Sequence, residues 1–234
     1  NYLKQNKIDV VISDNRFGFY NENVESVFIT HQLNVQAPFF EKAINRINNS
    51  FINKYNACWI PDYVEVEKRL SGILSNKNGI KNIVFIGSLS RFEKTKLEQK
   101  KYDVLILLSG PEPQRTILEE KLISVFVNTN YKIVLVRGSF NDRTQKLPSN
   151  FYPINIASSK QLQELFNESS KIICRSGYST LMDLDALGLK ALLIPTPGQS
   201  EQEYLAKYWQ DKFAYTCLEQ KNISEKSVKE FMLS

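Results

Sequence analysis

The strongest constraint on the fold of this chain is a series of short, β-branched apolar runs that return at a spacing wide enough to hold a helix between them. They lie at residues 8–13, 24–30, 57–60, 83–86, 104–108, 132–136, 154–157, 171–174, 191–194 and 213–216. Val104-Leu105-Ile106-Leu107-Leu108 is continuously apolar, as a parallel strand buried on both faces must be. Segments with helical spacing alternate with these runs, at 38–55, 114–127, 159–167, 179–187, 201–209 and 224–233. Pro38 is placed to open the first helix, and its apolar face would carry Phe39, Phe40, Ala43, Ile44, Ile47, Phe51 and Ile52. The alternation predicts an α/β class built from doubly wound parallel sheets. Such folds place ligands beyond the carboxyl ends of their strands, so the loops there are where chemistry is to be sought.

The 234 residues suffice for two modest domains. Residues 63–81 are charged, weakly patterned and interrupted by Gly72 and Gly79, and read as a linker. That leaves a first domain over 1–62 and a second over 82–204. Helices over 205–234 are expected to pack back on the first domain. The chain starts without Met, directly in a helix end and a strand, as a piece of something longer would.

Composition removes several classes of function. A net charge of +5 is mild. The basic residues are scattered, with no stripe, zinc-finger spacing or aromatic RNA-binding motif, so nucleic acid is not an expected partner. No apolar run reaches the length of a membrane span. Three separated cysteines, Cys58, Cys174 and Cys217, each beside apolar residues, read as buried thiols and point to a cytoplasmic setting. Glycine-rich dinucleotide loops, Walker loops and the nucleophile elbow of the α/β-hydrolases are all missing. No His, Cys, Asp or Glu cluster has metal-ligand spacing. Asp183 and Asp185 form an Asp-x-Asp, but within a helix they point about 200° apart and cannot easily share an ion.

One stretch is dense in polar chemistry: Cys174-Arg175-Ser176-Gly177-Tyr178-Ser179-Thr180-Leu181-Met182-Asp183. It reads as a strand, a tight turn and a helix mouth, where free N–H groups and the positive dipole end suit a phosphate. Arg175 would pair with that phosphate or brace the turn. Asp183 would take two vicinal ribose hydroxyls, or form a capping box with Thr180. A second strand-to-helix turn, Ser109-Gly110-Pro111-Glu112-Pro113, can hold the same diphosphate from the other side. Arg137 and Ala157 follow strands. Gln199, Glu201 and Gln202 open a helix, where they would bond sugar hydroxyls or simply favour the dipole. His31, the one histidine, follows a strand and is either structural or a sugar contact and proton carrier.

The 174–183 stretch, together with Ala186-Leu187-Gly188-Leu189-Lys190-Ala191-Leu192-Leu193-Ile194-Pro195 and Glu201-Gln202, resembles the donor-binding segment of the MurG type of N-acetylglucosaminyl transferase. Asp14-Asn15-Arg16-Phe17-Gly18 and Ile29-Thr30-His31-Gln32 resemble the second half of such an enzyme's acceptor domain, especially in uncharacterised bacterial glycosyltransferases. The resemblance implies a GT-B fold, two Rossmann-like domains with the N-terminal one incomplete. It further implies a metal-independent, inverting transfer of a sugar, an N-acetylhexosamine, from a UDP-sugar to an acceptor hydroxyl.

On the same resemblance Asp183 takes the place of the family's glutamate on the ribose. Ser176, Gly177, Ser179 and Thr180 lie at the diphosphate, with Tyr178 in the same nucleotide-sugar site, Glu201 and Gln202 at the donor sugar, and Ala157 beside the base. Ser109–Glu112 replaces the family's Gly-Gly-Ser loop, Leu205 stands where the family has Asn, and residues 15–18 serve the acceptor. Implied partners are the UDP-sugar and a lipid-linked or glycan acceptor, with contact at the inner face of a membrane. Rival readings are a nucleotide-sugar hydrolase or epimerase on the same fold, a non-catalytic donor-binding subunit, and a binding protein for another nucleotide.

Overall fold

The computed structural model describes residues 2–37, 39–77, 79–94, 99–140 and 146–233. Pro38, expected to open a helix, lies outside them. The chain divides into two compact units, Asn1–Leu89 and Ser90–Ser234.

The first unit starts with a single helical turn, α1 (Tyr2–Gln5). Its all-parallel four-stranded sheet has the order β1-β2-β3-β4, from β1 (Val10–Asp14), β2 (Glu25–Ile29), β3 (Ala57–Ile60) and β4 (Ile83–Phe85). Phe28, Leu33, Ile52, Tyr55, Cys58 and Ile60 form its core. Helix α2 (Glu41–Ile52) connects β2 to β3, and its inward stripe of Asn45, Asn48 and Ile52 shares only Ile52 with the apolar face that the spacing suggests. Asn45 and Asn48 are buried because they satisfy the backbone of the preceding loop. The Asn45 amide accepts from the Val35 N–H at 2.7 Å and donates to the Val35 carbonyl at 3.2 Å, and Asn48 donates to the Leu33 carbonyl at 3.2 Å. Ile44, Ile47 and Phe51 consequently face solvent.

Two domain expectations are corrected. Residues 63–81 are no linker: Leu70, Ser71, Leu74 and Ser75 are fully buried. Asp62, buried at the end of β3, organises them. Its carboxylate accepts from the backbone N–H of Leu70 at 2.8 Å and of Ser71 at 3.0 Å, and from the Ser71 hydroxyl. Nor does the strand at 83–86 open the second domain. It pairs with β3 in the register Cys58↔Ile83, which moves the division to Leu89.

The second unit contains β5 (Tyr102–Leu107), α3 (Gln114–Phe126), β6 (Ile133–Val136), β7 (Phe151–Ile154), α4 (Ser159–Glu168) and β8 (Ser169–Cys174). It continues through α5 (Tyr178–Leu187), β9 (Leu192–Leu193), α6 (Ser200–Phe213), β10 (Thr216–Cys217) and α7 (Glu225–Leu233). The strand order is β10-β9-β8-β5-β6-β7, all parallel. Counted from β5, this is the 3-2-1-4-5-6 order of a dinucleotide-binding sheet.

Boundaries shift at two strands. β7 begins earlier than expected, and α6 runs through 213, ending where Ala214 takes a left-handed conformation, so β10 follows at 216. Val228 and Phe231 of α7 lie in the core of this unit with Val104, Leu118 and Phe126, so α7 belongs to the second unit. Among the described residues no helix is long and apolar enough to cross a membrane.

Candidate functional site

The strand order fixes where the second unit can hold a ligand. From β5 the chain winds outward through α3 to β6 and β7, then returns across to β8 on the other side of β5. The loops after β5 and β8 therefore diverge and leave a crevice at the carboxyl edge, the switch point of such folds. Three of the loops at this edge follow the strands that border the crevice: 108–113, 175–177 and 194–199. Two of them meet closely, since a Cβ placed on Gly110 would lie 3.5 Å from the Thr196 hydroxyl.

Helix α5 opens onto this edge. Tyr178, Leu181, Met182, Leu184 and Leu187 bury its inner face. Its end is a Schellman turn, with Gly188 left-handed, its N–H on the Asp185 carbonyl and that of Leu189 on the Leu184 carbonyl. At the other end Gly177 is the N-cap and no side chain caps the helix. The space where a Gly177 Cβ would point is open. The N-terminus of α5 and its dipole thus lie at the switch point beside the open space at Gly177, with the exposed Ser179 and half-buried Thr180 in the first turn.

The Thr180–Asp183 capping box does not form, because the helix starts too early for it. Asp183 is the sixth helical residue, and its Oδ1 accepts instead from the Ser90 hydroxyl at 2.7 Å. Burial raises the Asp183 pKa, with the Ser90 bond and the charge of Arg91 acting in the other direction.

Several residues expected to touch the ligand are bound up in holding the loops. Arg175 is 1% exposed and points inward. Its Nη1 donates to the carbonyls of Ile194 and Pro195 at 3.2 and 3.1 Å. Nη2 donates to the Gln114 carbonyl at 2.9 Å and to Gln220 Oε1 at 2.7 Å. It braces all three loops rather than presenting its charge, and burial lowers its pKa to about 10. Ser176 is buried, with its hydroxyl on the Gln202 carbonyl at 2.7 Å.

Arg137 is buried in an ion pair with Glu119 at 2.9 Å. The neighbouring Gly138 is left-handed, and a Cβ there would meet the Leu108 carbonyl at 2.8 Å, so the β6 loop packs tightly on the β5 loop.

Glu112 also changes role. Its Oε2 accepts from the N–H of Thr116 at 3.2 Å and its hydroxyl at 2.6 Å, while Oε1 pairs with Arg115 at 2.8 Å. These bonds, first that from the Thr116 hydroxyl, lower its pKa to about 2. Glu112 thus fills the mouth of α3 with its own carboxylate, at the place where the sequence suggested a second phosphate-holding helix mouth.

At α6, Gln199 Oε1 accepts from Gln202 Nε2 at 2.6 Å, and Gln202 Oε1 accepts from the Thr196 N–H at 3.0 Å. Both amides hold the 196–199 turn, with Glu201 half-buried beside them. Ser109 and Gly110 are exposed and Ala157 half-buried in the loops after β5 and β7.

The remaining expected residues lie in the first unit. His31 is half-buried in the bend after β2. Asn15 and Gly18 are left-handed, Phe17 stacks on Phe28 at 5.3 Å and Phe51 at 5.2 Å, and the Arg16 carbonyl accepts from Tyr55 at 3.1 Å. The three cysteines are free, their thiols pushed up to about 12 by burial. Among the described residues no three metal-ligating side chains cluster.

Two residues were missed in the sequence. Thr196 is buried beside Gly110 with its hydroxyl unpartnered, and Ser90 holds Asp183. Both were visible only as hydroxyls in Gly- or Pro-rich loops.

Similarity to known proteins falls on the same region. The sequence profile of the glycosyltransferase family 28 C-terminal domain matches residues 94–233. The UDP-N-acetylglucosamine--N-acetylmuramyl-(pentapeptide) pyrophosphoryl-undecaprenol N-acetylglucosamine transferase of Rickettsia felis is 25% identical over 210 residues, covering 83% of this chain and 56% of that protein. Its Rickettsia prowazekii counterpart is 25% identical over 228 residues, covering 83% and 58%. The chain spans about half the length of these relatives.

Among solved structures, Acinetobacter baumannii MurG has a TM-score of 0.57 at 14% identity, covering 99% of this chain and 65% of that one. The glycosyltransferase SnogD from Streptomyces nogalater has a TM-score of 0.63 at 13% identity, covering 98% and 65%. These likenesses show the GT-B fold. With the profile matching more than half of its length, the chain belongs to glycosyltransferase family 28, and its second unit forms the C-terminal domain of that family.

Proposed function

We propose that the second unit binds a UDP-sugar and that the chain serves transfer of the sugar, an N-acetylhexosamine, to an acceptor hydroxyl with inversion. The observation that carries this reading is the uncapped α5 mouth at the switch point, with the Asp183 carboxylate farther along the same helix. The mouth takes the diphosphate, and its N–H groups and dipole stabilise the charge that grows on the leaving group. Asp183 takes the ribose hydroxyls. The reading calls on no metal, because the helix supplies the electrostatic stabilisation. His31 is the group in this chain offered for taking the acceptor's proton.

The relatives' names give UDP-N-acetylglucosamine as donor and a pyrophosphoryl-undecaprenol acceptor, which is lipid-linked. A lipid-linked acceptor requires approach to a membrane surface, and the outward apolar face of α2, flanked by Lys42, Arg46 and Lys54, supports such an approach.

Calorimetric titration with UDP and UDP-N-acetylglucosamine tests the donor site. Both should bind the intact chain, and Asp183→Ala should weaken both by about tenfold or more, as expected for charge-assisted hydrogen bonds. Absence of binding, or unchanged affinity in the variant, overturns the reading.

A further inference from the structure

We propose that Ser90 is a positioning residue for ribose recognition, aiming the Asp183 carboxylate at the two hydroxyls of the donor's ribose. The inference rests on the nucleotide-sugar reading above and adds a residue 93 positions away from Asp183 in the chain.

The geometry of the hydroxyl leaves it one way to act. Ser90 Oγ accepts from the backbone N–H of Phe92 at 3.1 Å, so its own proton is directed to Asp183 Oδ1 at 2.7 Å. The turn that carries it is anchored, since Phe92 is buried and packs on Phe166 of α4 with ring centroids 5.6 Å apart. An aspartate on a helix has a broad, roughly two-fold torsion at its carboxylate. One short bond from a fixed donor removes that freedom. Oδ1 keeps one lone pair and Oδ2 both of its own, enough to accept from two vicinal hydroxyls. The bond also favours the ionised, accepting form against the burial that opposes it. Asp183 is a methylene shorter than glutamate, so its reach depends more on how it is aimed.

The intact chain, Ser90→Ala, Ser90→Thr and Asp183→Ala are each titrated with UDP and with 2′,3′-dideoxy-UDP, which lacks both hydroxyls. The intact chain should prefer UDP, and Asp183→Ala should abolish the preference. Ser90→Ala should cut it by about fivefold to tenfold through UDP alone, on the scale of one charge-assisted hydrogen bond. The affinity for the dideoxy nucleotide should stay unchanged, and Ser90→Thr should restore the preference. A full preference in Ser90→Ala overturns the proposal, as does an equal loss for both nucleotides, which would mark a structural bond. If the intact chain shows no preference, or Asp183→Ala retains it, the ribose assignment itself fails.

Discussion

A single carboxylate sets the two helix mouths of the second unit apart. Glu112 sits before α3 and takes the N–H and hydroxyl of Thr116 and the guanidinium of Arg115, whereas nothing equivalent precedes α5. Its pKa is depressed in the folded chain, to about 2, so its contribution is present above the ordinary carboxylate range and is lost as pH falls toward that value. Because the group is exposed, the contribution is discounted to at most about 1 kcal/mol. Urea unfolding should therefore show Glu112→Gln less stable than the parent at pH 7, with the gap narrowing at pH 3. A gap that does not depend on pH would assign the stabilisation to something other than the ionised carboxylate. The partners of Glu112 lie only three and four residues on, although the sequence reading gave this carboxylate to a ligand-binding turn. Those of Arg137 and Arg175 were not legible in the sequence, because Glu119, Gln114 and Gln220 reach them only through the fold. A buried arginine and a ligand-binding one look alike until the loops are closed.

At the level of elements, periodicity identified α2 but of its expected apolar face only Ile52 is buried. Spacing reports which residues share a stripe, and the unmet backbone groups of the preceding loop turned the helix so that Asn45 and Asn48 face inward beside Ile52. Two asparagines that looked like surface residues became the inner contacts, and Ile44, Ile47 and Phe51 were left outside with Lys42 and Arg46 nearby. Such a face inserts into a lipid surface through its apolar side chains and is held by anionic headgroups. Flotation with phosphatidylglycerol vesicles should retain the intact chain, and Ile47→Glu should reduce binding by about tenfold, since an exposed isoleucine that would enter the lipid is replaced by a charge. UDP affinity should not change. Retention equal to the parent would remove α2 from the membrane reading. Strands were more legible than helix faces, because a buried parallel strand is apolar throughout and needs no choice of side.

For the whole molecule, the switch point was foreseeable as a kind of place, while the strand order that creates it was not. Pairing β5 with both β6 and β8 depends on contacts far apart in sequence, as does pairing β3 with β4, and so the division between units fell at Leu89 instead of 82. The order of the first sheet has a consequence of its own. Among the described residues β1 ends that sheet, with one row of backbone donors and acceptors unpaired, and its Val10 and Ile12 are 44% and 54% exposed on one face. An edge of this kind is a template for another strand, and in a concentrated solution the nearest strand belongs to another copy of the same chain. Sedimentation velocity should show self-association that grows with concentration, and Ile12→Lys should hold the chain monomeric over the same range.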